Sequence, residues 1–437
     1  MKTMIAVAVL TGSLCGAAFA DTNRIDQIRP DAPELAAHGD LPIGVRTLSV
    51  VNPGQIDILK VEEGQDLPRY DRPLTPEVWY PAADGTGAGG TYEGVQLRDG
   101  VTTVQLTGLA VRDAAPAAPA APYPLLIISH GYPGNRFLMS HLGENLATKG
   151  YVVVSIDHTE STYDNRAAFG STLVNRPLDQ LFVLNAIDGM SKESGHFLSG
   201  LVDVSDTGII GYSMGGYGAV IVAGGGVTQA STEYSWRAPA GTLQMHLAGS
   251  ESHEALIDPR VKAAVAIGPW GMNTGFWDED GMKGVRKPML FIAGSDDDIS
   301  GYENGVKALF EASVSTDRYL LTFHYANHNA SAPMSAPAES WQPSEHLDFI
   351  PFDHYADAVW DTVRMNNITQ YFITAFFGQY LKGDDELGTY LDLVEHSRDA
   401  LHALEEDGTP KPEHNYWKGF PARTAKGLSL SRKGAGE

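Results

Sequence analysis

The chain has 437 residues, 43% hydrophobic and 19% charged, which is ample for one large domain or two smaller ones. A formal net charge of -23 argues against nucleic acid and against anionic membrane surfaces as partners. The one cysteine, Cys15, leaves no internal disulfide to form, so the fold must rest on its core.

The chain opens with a targeting pattern. Lys2 supplies a positive charge, residues 4–14 form an apolar stretch too short to span a bilayer, and Ala18-Phe19-Ala20 is an A-x-A cleavage signal. Residues 1–20 are therefore expected to be a signal peptide, and the mature chain begins at Asp21, in the periplasm or the medium. Bulky Leu14 before Cys15 disfavours a lipoprotein reading. Residues 21–54, punctuated by Pro30, Pro33, Pro42 and Pro53, read as an extended arm with a first strand over 45–50. An α/β domain is expected over 45–437. No later stretch is long enough for a membrane span.

Val78-Trp79-Tyr80-Pro81 reads as a strand stopped by proline, and 84–90 as a glycine-rich loop. The Ala/Pro run 114–124 is a stiff surface linker. Leu125-Leu126-Ile127-Ile128 has the continuous apolar character of a strand buried on both faces, and it ends at Ser129-His130-Gly131-Tyr132. A helix is expected over 139–149, then a strand over 151–156 ending at Asp157-His158. A second helix is expected over 177–190, with Leu181, Leu184 and Ile187 on one face. Further strands are expected around Ile209-Ile210, over 262–267, 288–293 and 319–323, and a closing helix over 368–381. Strands and helices alternate, the pattern of a mostly parallel sheet covered by helices. Polar residues gather just after the strands, at the functional edge of such a sheet.

One of those junctions stands out. Gly211-Tyr212-Ser213-Met214-Gly215 has the form G-x-S-x-G, with an apolar run before it and small residues after it. That is the pattern of a nucleophile elbow, in which glycines permit a tight strand-to-helix turn and the serine stands exposed. By itself the pattern is weak, because glycine and serine are common in turns. A serine alkoxide also needs a base, and the base needs a carboxylate to orient it. In this fold the order along the chain is serine, acid, histidine, and Ser213, Asp297 and His328 satisfy it. Asp296 and Asp298 rival Asp297, with Asp298 the stronger alternative; a solvated acidic loop is the bland reading. His324 rivals His328 but lies within or just past its strand. Two amides suit a developing oxyanion, those of Met214 at the helix N-terminus and Tyr132 in the loop after an earlier strand. His130 and His158 read as loop-supporting residues. The stretch 275–280 is a candidate binding rim, although an acidic run is usually a solvated face.

Val78-Trp79-Tyr80-Pro81, Ser129-His130-Gly131, Gly211 to Gly216, Pro269-Trp270 and His328-Asn329 together resemble the α/β-hydrolase superfamily. The resemblance is nearest to its dienelactone-hydrolase and platelet-activating-factor-acetylhydrolase-like branch, which neighbours bacterial cutinases and polyester hydrolases. It covers about residues 45–382. It implies the α/β-hydrolase fold and a serine carboxylic-ester hydrolase needing no cofactor and no metal. It also implies Trp270 as a wall of the acyl pocket. Phospholipase or acetylhydrolase activity and polyester hydrolysis are the alternatives within enzymes; a non-catalytic binding protein on the same fold is the alternative outside them. Serine replaces the cysteine of dienelactone hydrolases proper. Residues 224–255, holding Tyr234, Trp236 and Met245, are longer than a simple connection and suggest a cap or lid. Cutinases lack such a cap and carry a disulfide, which this mature chain cannot make.

Overall fold

The computed structural model describes residues 23–167, 169–234 and 238–437; the expected signal peptide and Trp236 lie outside them. The strands are β1 (Ile43–Thr47), β2 (Val50–Ile56), β3 (Arg69–Pro81), β4 (Gly90–Gln96), β5 (Thr103–Gly108), β6 (Val111–Arg112), β7 (Tyr123–Ser129), β8 (Val152–Asp157), β9 (Val202–Tyr212), β10 (Val261–Ile267), β11 (Met289–Gly294), β12 (Arg318–Phe323) and β13 (Leu428–Lys433). Ten of them run in the order β13-β12-β11-β10-β9-β7-β8-β3-β1-β6, with β2 beside β3, while β4 and β5 form a separate hairpin. From β8 to β12 every neighbouring pair is parallel. At the flanks β3 and β13 join antiparallel. This is a mostly parallel α/β sheet, as the alternating pattern predicts.

The central strands lack polar alternation because helices cover both faces. On one face α1 (Ser140–Thr148) and the helix Thr362–Lys382 bury Leu142, Leu146, Phe372 and Phe376 beside Trp79 and Ile128. On the other, α2 (Phe169–Lys192) and α3 (Met214–Val222) bury Leu184, Ile187, Tyr217 and Val220 beside Ile127 and Ile209. The chain moves from β7 to β8 on one side, then returns to place β9 on the other side of β7. Ser129 pairs with Gly211 in that register, and Tyr212 with Ile267. The carboxyl ends of β7, β9 and β10 therefore open side by side where the strand order reverses, the place where such sheets form a crevice.

Three expectations need correcting. The helix predicted over 177–190 begins at Phe169 and runs through Pro177. Proline cannot donate to the Leu173 carbonyl one turn back and loosens the ladder there. Next along, the Val174 carbonyl accepts from His246 Nε2 at 2.8 Å. That histidine belongs to the segment expected to be a lid. Its Val227, Leu243 and His246 are buried, Val227 and Leu247 form a bridge, and among the described residues none of 224–255 lines the cleft. Its described residues form a buttress on α2. Lastly, Phe276 and Trp277 are buried against Tyr217, so they are core and no rim.

The β4–β5 hairpin is bolted to the body through one buried carboxylate. Glu144 of α1 accepts from Tyr92 Oη at 2.5 Å and from the Leu109 and Ala110 N–H groups at 2.8 and 3.0 Å. Burial raises the Glu144 pKa, and those three donors oppose the rise.

Candidate active site

The elbow is built by exclusion. A Cβ on Gly211 would lie 2.1 Å from the Gly215 carbonyl oxygen, and one on Gly215 would lie 1.9 Å from the Ser129 carbonyl oxygen. Only glycine lets β9, α3 and β7 converge so closely. Ser213 takes the strain, with φ 52° and ψ -112°. It is held there at both ends: its N–H donates to the Ile267 carbonyl at 2.8 Å, and its carbonyl accepts from the Tyr217 and Trp270 N–H groups at 2.9 and 3.3 Å.

The structure brings Ser213, His328 and Asp297 into one relay. Ser213 Oγ lies 3.0 Å from His328 Nε2, and His328 Nδ1 lies 2.9 Å from Asp297 Oδ2. With the proton on Nδ1, the imidazole presents a free lone pair to the serine. Asp297 Oδ1 also accepts from the Ile299 and Ser300 N–H groups, at 2.9 and 2.8 Å. Burial pushes the Asp297 pKa up, but the His328 hydrogen bond and charge and these amides outweigh it, so it lies below the usual carboxylate value. Asp298, the alternative acid, is exposed at the cleft mouth. His324 lies off the site, its carbonyl accepting from Trp360 Nε1 at 2.8 Å.

The histidine loop is held from the far side. The Tyr212 ring stacks on His328 with centroids 5.2 Å apart, and its hydroxyl donates to Asn329 Oδ1 at 3.2 Å. Asn329 Nδ2 donates to the carbonyls of Asp353 and Ala356, at 2.7 and 2.8 Å, and Asn327 N–H to Asp357 Oδ2 at 2.6 Å. The residues after β12 thus fold back across the sheet edge, and Phe349, Asp353 and His354 enclose the site. The cleft measures about 500 Å³ and is lined by Gly131, Tyr132, Tyr212, Ser213, Ile299, His328 and these three, together with Arg98.

The Tyr132 and Met214 N–H groups find no partner among the hydrogen bonds of the described residues. Both flank Ser213, one after β7 and one at the start of α3. Trp270 does not line the cleft. Its ring packs edge-on to Phe169, centroids 5.1 Å apart, and Phe169 packs edge-on to Tyr132 at 5.2 Å, so an aromatic row leads from the cleft wall to Trp270.

Sequence reasoning missed what holds the Tyr132 loop. The buried Arg176 of α2 donates to the His130 carbonyl and to Ser161 Oγ, and more weakly to the Gly131 carbonyl at 3.4 Å. One turn on, Gln180 Nε2 donates to the Gly215 carbonyl at 3.1 Å. One helix therefore clamps both loops that flank Ser213. Between them Asp179 accepts from Arg72 Nε and Nη2, at 2.8 and 2.9 Å, and from His158 Nδ1 at 3.0 Å. His158 Nε2 meets Ser129 Oγ at 2.8 Å. Burial and the Arg176 charge keep His158 neutral; His130, whose Nδ1 donates to the Gly131 carbonyl at 2.7 Å, is held neutral by the same two causes. Both histidines order the loop, as expected. A polar residue every three or four positions on a buried helix face was the available signal, and it reads first as ordinary amphipathicity.

The fold and this geometry define the class: the chain has the α/β-hydrolase fold. Within that class it is related to cutinases and polyester hydrolases. A family model described as PET hydrolase-like matches residues 114–242, which hold the Tyr132 loop and the elbow but neither Asp297 nor His328. Cutinase est1 of Thermobifida alba is 26% identical over 210 residues, 48% of this chain and 54% of that protein. Bis(hydroxyethyl) terephthalate hydrolase of Streptomyces coelicolor is 25% identical over 204 residues, 46% of this chain and 49% of that protein. The chain thus spans about half the length of the curated relatives it matches. A ferulic acid esterase from Streptomyces cinnamoneus shares the fold at a TM-score of 0.55 and 21% identity, over 83% of this chain and 94% of that one. No helix among the described residues is long and apolar enough to cross a membrane.

Proposed function

We propose that this chain is an exported serine carboxylic-ester hydrolase acting on short-to-medium acyl esters through an acyl-enzyme. Ser213 Oγ attacks the ester carbonyl while His328 Nε2 takes its proton. The proton then passes to the departing alcohol. Asp297 keeps His328 in the required tautomer and stabilises the imidazolium that forms. The Tyr132 and Met214 amides receive the oxyanion, worth about 3–4 kcal/mol for each donor of this kind. Water, deprotonated by His328, releases the acid. Trp270, at the far end of the aromatic row from Tyr132, supports the acyl-side wall from behind, through Phe169. Export rests on the leader pattern of residues 1–20.

The observation that carries this reading is the Ser213–His328–Asp297 relay opening into a cleft beside two unpartnered amides. The names of its relatives, cutinase, bis(hydroxyethyl) terephthalate hydrolase and ferulic acid esterase, agree with it. The test is hydrolysis of p-nitrophenyl esters from acetate to palmitate by the parent and by Ser213→Ala. Activity in the parent alone, strongest on short chains, supports the reading, and equal rates in both would sink it. A second reading, polyester hydrolysis, is favoured by the PET hydrolase-like match and by Ile299, an apolar side chain 51% exposed on the cleft wall. Release of soluble acid from a polyester film separates it from the first.

A further inference from the structure

Arg98 is a charged residue that the relay does not use. It stands in the tight turn between β4 and β5, and it lines the same cleft as Ser213 and His328. The turn is fixed independently of the arginine head. Leu97 N–H donates to the Thr102 carbonyl and Gly100 N–H to the Leu97 carbonyl, both at 2.9 Å. The adjacent carboxylate is fully occupied: Asp99 accepts from the Val101 and Thr102 N–H groups and from the hydroxyls of Thr102 and Ser344. It leaves Arg98 without a counter-ion from its own turn.

Among the described residues no other counter-ion takes its place. Arg98 makes no ion pair within 4 Å, and its Nη1 is buried without any hydrogen-bond acceptor among the described residues. Its guanidinium carbon lies 5.4 Å from the centre of the Phe349 ring, which also lines the cleft. The two carboxylates of the cleft, Asp298 and Asp353, are exposed at its mouth. His354 is occupied through Nε2 by Tyr163 Oη at 2.8 Å, and burial lowers its pKa to about 3, so it adds no charge. A half-buried guanidinium with an idle N–H carries a desolvation cost that no counter-ion among the described residues offsets. The planar fork of donors matches a carboxylate, and Phe349 holds the fork in place. On a chain of net charge -23, one unpaired cation inside the reaction cleft is a local exception to the surface field.

Resting on the ester-hydrolase reading above, we propose that Arg98 binds a carboxylate carried by the substrate. The substrates are then esters with a free acid group, such as half-esters of dicarboxylic acids, in preference to neutral esters of the same size. The carboxylate can sit on the acyl part or on the alcohol part, and matched probe pairs distinguish them. For the acyl side the pair is p-nitrophenyl hydrogen glutarate against p-nitrophenyl valerate. For the alcohol side it is 4-carboxyphenyl butyrate against 4-carbamoylphenyl butyrate.

The readout is the ratio of kcat/KM for the anionic over the neutral member of each pair, in the parent, Arg98→Gln and Arg98→Lys. The expected result is a parent ratio of about 10 or more in one pair, falling to about 1 in Arg98→Gln mainly through KM, with Arg98→Lys between them. Both variants should melt within a few degrees of the parent, because the turn is held by Asp99 and its backbone. A ratio that Arg98→Gln leaves unchanged in both pairs, with the neutral esters hydrolysed, overturns this inference alone. Failure of every ester, with the parent equal to Ser213→Ala, removes the ester-hydrolase reading and this inference with it.

Discussion

The described residues contain two Ser–His–Asp arrangements, and their distances are nearly interchangeable. Ser213 Oγ to His328 Nε2 is 3.0 Å and Ser129 Oγ to His158 Nε2 is 2.8 Å; the histidine-to-carboxylate distances are 2.9 and 3.0 Å. What separates them is where the serine stands. Ser213 sits on a strained turn at the end of a strand, 8% exposed, beside two amides without partners. Ser129 is the last residue of β7 and is fully buried. The acids differ too. Asp297 is stabilised by backbone N–H groups, whereas Asp179 is locked to the guanidinium of Arg72. Hydrogen-bond geometry alone does not make a nucleophile. Access for a carbonyl and donors for its oxygen do, and only the first arrangement has them.

The comparison breaks most sharply at the two serines. Ser213→Ala should lower kcat by about ten-thousand-fold or more. A fluorophosphonate probe should label the Ser129→Ala variant at Ser213 and leave the Ser213→Ala variant unlabelled. The acids come next, and here the two sites should fail differently. Asp297→Asn should cost about ten-thousand-fold in kcat, roughly 5.5 kcal/mol, through the wrong imidazole tautomer. Asp179→Asn should instead cost about 3–5 kcal/mol of stability by stranding buried Arg72, read from urea denaturation. Equal stability losses in both variants would mean that the second arrangement is not the structural one.

A smaller effect separates the sites by pH. Burial, the largest cause in each case, lowers the pKa of His130, His141, His158, His246 and His354. Each is neutral in the folded chain and takes up a proton on unfolding below about pH 6.5. A base whose folded pKa is depressed contributes stability that is present above its unfolded value and lost as the pH falls. The expected loss is about 1.4 kcal/mol per histidine per pH unit below 6.5. Urea midpoints measured from pH 7 to 5 should drop steeply, and His158→Gln should flatten the slope; an unchanged slope counts against a neutral His158. The smallest change is Tyr212→Phe, which removes the hydroxyl bond to Asn329. It should cost about 1 kcal/mol in stability and only a few-fold in kcat, seen in melting and ester kinetics.

These two arrangements also mark how far the sequence could be read. The relay at Ser213 was legible because each member follows a buried strand, and strand ends are set by local patterns: Ile209-Ile210 before the elbow, Phe291-Ile292 before Asp297, Leu320-Leu321 before His328. The choice of Asp297 over Asp298 was not legible, since only the turn of the Ile299 and Ser300 amides onto one carboxylate decides it. The arrangement at Ser129 was invisible for another reason. Arg72, His158 and Asp179 meet only after three elements pack, and no spacing encodes that meeting. Pro177 misled through a sound rule, since proline is favoured at the first turn of a helix; here α2 extends past it to Phe169, and His246 covers a neighbouring carbonyl. The β4–β5 hairpin was missed because its anchor, Glu144, lies on a helix and looks like any surface glutamate.

The strand β13 has a consequence of another kind. It lies along β12 from Arg318 to Phe323 and ends in Ser431, Arg432 and Lys433. A sheet edge of Tyr319, Leu320 and Leu321 left bare is a template on which a second chain can add a strand. β13 replaces that edge with a charged one. A chain shortened before Leu428 would therefore be lost to self-association, and the defect would be found in the pellet of a centrifuged lysate.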